Sequence, residues 1–133
     1  MLVTIQPAAL PCTLDELRKV EKHVSGDYLV RLGVPEAAAS VDNVALHLSD
    51  TCIAHFACHG IQDRTNPLDS ALMLDDGPLP VSRIMKTSMP SASLVFLCAC
   101  ETAKGDVNVP DEAMHLAGTM LYAGFRGAVA TMW

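Results

Sequence analysis

The sequence predicts an α/β fold built on a mainly parallel sheet, and three observations carry that expectation. Strand-like apolar runs alternate along the chain with stretches of helical periodicity. Two of the runs, Thr51–Cys58 and Ser93–Ala99, are nearly continuous in small or apolar residues, the pattern of strands covered on both faces. The length, 133 residues, suits one domain able to bury roughly two thirds of its surface. No repeat, linker or charge block divides it, so residues 1–133 are read as a single domain.

The elements follow in order. Leu2, Val3 and Ile5 form a short strand-like run stopped at Pro7. Thr13 and Glu16 have capping-box spacing, in which the hydroxyl takes the third helical amide and the carboxylate reaches back. Leu14, Leu17, Val20 and Val24 then mark one face of a helix ending near Gly26. Tyr28–Leu32 reads as a second strand. Pro35 and Glu36 open a second helix with Ala38, Val41, Ala45 and Leu48 on its core face. After the Thr51–Cys58 strand, Asp75, Asp76 and Gly77 between short apolar runs read as a hairpin turn. The Ser93–Ala99 strand leads into Cys100. Asp111 offers an N-cap, with Glu112 beside it, for a helix through about Tyr122 that is apolar almost all round and so expected to be buried. Met114 and Met120 are its core fillers. Gly124 stops this helix, and Gly127–Trp133 is another strand-like run. Because the chain stops at an apolar strand whose edge needs cover, we expect a piece of a longer protein.

Composition removes several classes. Fifteen acidic against nine basic residues, a net charge of −6, does not suit a nucleic-acid binder, which needs clustered Lys and Arg. No run free of Asp, Glu, Lys and Arg exceeds 14 residues, as in Thr87–Cys100, against the ~20 of a membrane span. The start shows no secretory signal. Five cysteines without framework spacing read as free thiols in a cytoplasmic protein.

The chemistry gathers at two strand ends. In open parallel sheets ligands sit beyond the carboxyl ends of the strands. His59 follows the first buried strand and Cys100 the second. If the strands are parallel neighbours, both side chains leave the same edge. A thiol of pKa about 8.5 is only about 3% thiolate at pH 7, so it needs a base. An imidazole of pKa about 6.5 can take the proton and later give it to a leaving amine. Gly60, without a Cβ, lets its amide approach an oxyanion alongside the amide of Cys100.

These residues resemble a family. An apolar strand leading into Ala57-Cys-His-Gly60 and another leading into Ala99-Cys100 look like the caspase, separase, gingipain and legumain clan of cysteine peptidases. The fuller text is similar to the CHAT domain, a caspase-like domain often found beside tetratricopeptide repeats. The matching stretches are Ile53–Gly60, Asn66-Pro67 with Ser70–Gly77, Leu94–Ala103, Pro110–Ala117, Ala123–Arg126 and Ala130–Trp133.

The resemblance implies a caspase-like three-layer αβα sandwich whose last strand and helix are missing. It implies a cysteine endopeptidase acting on a polypeptide substrate, with Cys100 as nucleophile, His59 as general acid/base and the amides of Gly60 and Cys100 as oxyanion hole. It also implies a setting in immune, stress or cell-death proteins, with repeat or NTPase domains in a longer chain. A domain that keeps the fold for binding or regulation without turnover is the alternative. No cofactor is expected.

Other residues have competing readings. Cys98 shares a strand face with Cys100 and reads as packing; a Cys98–Cys100 bridge would be strained. His55, Cys58, His59, Cys98 and Cys100 together suggest a metal site. Zinc spacing is lacking, however, and soft ligands on adjacent buried strands would collide with packing, so no metal is expected. His55 is read as a buried histidine bonded to the backbone. Glu101 and Asp106 could line a pocket for a basic residue before the scissile bond; Glu101 could equally anchor the loop after Cys100.

Overall fold

A computed structural model of the chain describes residues 1–61, 63, 66–98 and 112–130. The expected α/β architecture is present. β1 (Leu2–Ile5), β2 (Val30–Leu32), β3 (Ile53–Ala57), β7 (Leu94–Leu97) and β8 (Gly127–Ala130) form one sheet in the order β2-β1-β3-β7-β8, and every pairing in it is parallel. β4 (Gly60–Ile61), β5 (Ala71–Leu74) and β6 (Gly77–Pro80) form a separate antiparallel sheet. Among the described residues the α-helices are α1 (Thr13–Glu21), α2 (Val41–Leu48), α3 (Val81–Ile84) and α4 (Glu112–Tyr122).

Strand alternation sends successive side chains of the large sheet into two separate cores. Val3, Ile5 and Ala57 pack with Leu17 of α1 on one face, with Cys98 at the margin. Leu2, Ala54, Phe56, Val95 and Leu97 face the other way, toward Val44 and Leu48 of α2, Leu116 and Met120 of α4, and Leu72, Leu74 and Leu79 of the small sheet. Three layers result, with β3 in the middle and almost wholly buried. That is why its sequence lacks the polar alternation of a half-exposed strand.

Several local expectations are corrected. The capping box at the start of α1 does not form: the Thr13 hydroxyl donates to the Leu10 carbonyl at 2.7 Å, and Glu16 is engaged elsewhere. α1 ends at Glu21, short of Gly26, and Gly26–Tyr28 form a 3-10 turn before β2.

Pro35 and Glu36 do not open α2. They lie in a tight turn in which Gly33 donates to Ala37 at 2.8 Å and Ala37 to Val34 at 3.0 Å. Gly33 has φ +89°, and a Cβ there would come within 1.9 Å of the Ile5 carbonyl oxygen, so only glycine fits. α2 begins at Val41 because Ser40 is its N-cap, its hydroxyl accepting the Asn43 amide at 3.3 Å. The shorter helix buries Val44 and Leu48, while Ala38 is exposed.

The Asp76–Gly77 hairpin is present, pairing Leu74 with Gly77. Its two aspartates do more than turn the chain: Asp75 accepts the Ala39 amide and Asp76 the Val41 amide, each at 2.8 Å. Pro78 and Pro80 are tolerated because β6 is at the edge of the small sheet. Gly124, at φ +121°, ends α4 as expected. The last turn of α4 is only partly buried, since Leu121 and Tyr122 face solvent. Met120 is fully buried. The expected N-cap Asp111 and the end of the chain from 131 to 133 lie outside the described residues, as does the side chain of Met114.

Candidate active site

β3 and β7 are hydrogen-bonded parallel neighbours, the arrangement on which the pairing of His59 with Cys100 depended. Ile53 pairs with Leu94 and Phe56 with Leu97, a constant offset of 41 residues. The ladder runs one residue further, where the Cys98 amide donates to the Phe56 carbonyl at 2.9 Å.

His59 is half-buried just past β3, and its backbone is held from two sides. Its amide donates to the side-chain oxygen of Gln6 at 3.2 Å, and its carbonyl accepts the Met73 amide at 2.7 Å. Gln6 stands directly after β1, buried, and its own amide donates to the Ala57 carbonyl at 3.2 Å. The ends of β1 and β3 are thereby tied together beneath His59. Gly60 starts β4 and is register partner of Leu72, so the chain turns from the parallel sheet into the small sheet directly after the histidine. Cys100, Glu101 and Asp106 lie outside the described residues.

Gln6 was missed in the sequence. The available signal was a lone amide side chain directly after an apolar parallel strand, at the edge where ligands bind.

The other thiols separate by environment. Cys58 is buried in the α2–α4 core, and desolvation pushes its thiol up to about 12, which holds it in the protonated form at neutral pH. Cys12 and Cys52 are exposed and Cys98 is intermediate.

His55 does not bond to the backbone as expected. Its Nε2 lies 3.0 Å from the Glu16 carboxylate of α1, and its ring centroid is 6.0 Å from that of Phe96. A carboxylate reaching down from the covering helix thus pairs with a ring nitrogen buried on that face of the sheet. The Glu16, His55 and Cys98 donor atoms all lie within 4.8 Å of one another. Separately, a cleft of about 540 Å³ beside edge strand β2 is lined by Glu21, Arg31 and Glu36 among others, away from the ends of β3 and β7.

A five-stranded parallel sheet between helical layers, with a histidine clamped just beyond its central strand, defines a caspase-like α/β domain. A CHAT domain model matches residues 1–133, the whole chain, and the chain belongs to the CHAT domain family, a caspase-like peptidase family. No curated protein matches it. Among the described residues no helix is long and apolar enough to cross a membrane.

Proposed function

We propose that the domain is a cysteine endopeptidase in which Cys100 is the nucleophile and His59 the general acid/base. One observation carries the reading: β3 and β7 are paired neighbours at an offset of 41 residues, and His59 and Cys100 are separated by the same 41 positions. Parallel strands in fixed register deliver residues of equal offset to the same edge of a sheet.

The chemistry balances with those two groups and water. His59 takes the thiol proton as the Cys100 sulfur bonds to the peptide carbonyl carbon. The amides of Gly60 and Cys100 stabilise the oxyanion. The carbon–nitrogen bond then breaks, and His59 returns the proton to the leaving amine. Water, deprotonated by His59, hydrolyses the thioester and frees the thiol. Glu101 and Asp106 supply negative charge for a basic residue before the scissile bond. A reducing cytoplasmic setting agrees with five cysteines that lack a disulfide framework.

The test is to incubate the reduced chain with a pool of peptides and compare it with Cys100→Ala. Turnover lost in the variant supports the proposal. Equal turnover by the two chains overturns it.

A further inference from the structure

We propose that Glu16, His55 and Cys98 form a zinc site, open at one coordination position, that clips α1 to the sheet. The site uses neither His59 nor Cys100 and so goes beyond the peptidase reading.

The geometry comes from three ordered elements. His55 is at the middle of β3, buried, with Phe96 of β7 as its register partner. Cys98 stands two residues beyond Phe96, which makes it the diagonal neighbour of His55 on the same face of the sheet. Its backbone is fixed by the hydrogen bond to Phe56. α1 covers that face through Leu17, and the adjacent Glu16 brings its carboxylate to His55 at 3.0 Å. The three donor atoms therefore converge, each within 4.8 Å of the others. Tetrahedral zinc with bonds of about 2.0–2.3 Å asks for donors about 3.5 Å apart. Adjusting the Cys98 rotamer and the Glu16 carboxylate, whose side chain is a third exposed, closes that difference.

The donor set selects the ion. A thiolate and an imidazole suit zinc and disfavour magnesium or calcium, which take oxygen ligands. One thiolate and one carboxylate cancel the charge of a divalent ion, so the partly buried site becomes neutral. Three protein ligands leave one position for water. Binding breaks the His55–Glu16 hydrogen bond: the proton on Nε2 is given up to solvent as Nε2 takes the metal, and Nδ1 picks one up, so the ring stays neutral with no net proton change. The Cys98 sulfur–hydrogen bond is lost, and its proton goes to solvent, one for each metal bound. No compact motif announces this site, because Glu16 is 39 residues from His55 and the ligands meet only in the fold.

The experiment uses the full chain, reduced and stripped of metal, dialysed against zinc and separately against cobalt. One zinc per chain is expected, with a raised melting temperature and release of one proton. The cobalt form should show a tetrahedral spectrum with a thiolate charge-transfer band, which reads the ligands of the unmutated protein and so does not depend on any variant folding. Cys98→Ser, His55→Gln and Glu16→Gln should each bind at least about tenfold more weakly. Cys100→Ser should bind as the parent does. Failure to retain zinc, a cobalt spectrum without a thiolate band, unchanged affinity in Cys98→Ser, or loss of binding in Cys100→Ser would each overturn the proposal.

Discussion

The side-chain oxygen of Gln6 accepts the backbone amide of His59 at 3.2 Å, joining the residue after β1 to the histidine after β3. The bond spans 53 positions of sequence and is partly buried, so water is a poor substitute for it. Gln6 is thus a positioning residue for His59.

Removing that acceptor in Gln6→Ala should lower folding stability by about 1 kcal/mol. The His59 amide should exchange its hydrogen about fivefold faster, as read by NMR. Peptide cleavage should fall with it, because the backbone that carries the imidazole loses an anchor. Unchanged exchange at His59 would show that the bond does not hold the loop.

Asp75→Ala should cost about 1 kcal/mol by loosening the entry to α2. Its bond to the Ala39 amide is partly buried, whereas the bond from Asp76 to Val41 is exposed. Asp76→Ala should therefore cost less. Chemical denaturation of the two variants checks the order, and a larger loss for Asp76→Ala would contradict it.

Burial raises the Cys58 thiol from an ordinary value of 9.0 to about 12, which sets a pH dependence with a definite sign. Above pH 9 the unfolded chain loses this proton while the folded chain keeps it. The contribution is complete below pH 9 and falls by about 1.4 kcal/mol per pH unit as pH rises toward 12. Denaturation of the parent and of Cys58→Ala across pH 8–11 should show a steeper alkaline loss in the parent. Parallel curves would contradict the assignment. At neutral pH, Cys58 should stay unmodified by thiol reagents that label the exposed Cys12 and Cys52.

The parts legible in the sequence were those set by local pattern. Ile53–Ala57 announces itself because a strand covered on both faces is small or apolar at nearly every position, Leu94–Leu97 because its run is wholly apolar, and the Asp76–Gly77 turn because few residues accept its backbone. The illegible parts depend on partners distant in sequence. Glu16 has capping-box spacing from Thr13, and nothing local reveals that its carboxylate goes instead to a histidine on β3. Pro35 suits a helix start, but Gly33 and Ala37 close a turn around it, and the true start is set by Ser40 with help from Asp75 and Asp76. Gln6 is of the same kind: an ordinary polar residue until the sheet places His59 beside it.

The central claim is that His59 activates Cys100, and the rate at which each cysteine reacts with a thiol-directed electrophile tests it most directly. Mapped by mass spectrometry at neutral pH, Cys100 should react faster than the exposed Cys12 and Cys52, and His59→Ala should slow it by at least about a hundredfold. A Cys100 that reacts no faster than Cys12 or Cys52, at a rate His59→Ala leaves unchanged, would contradict the account.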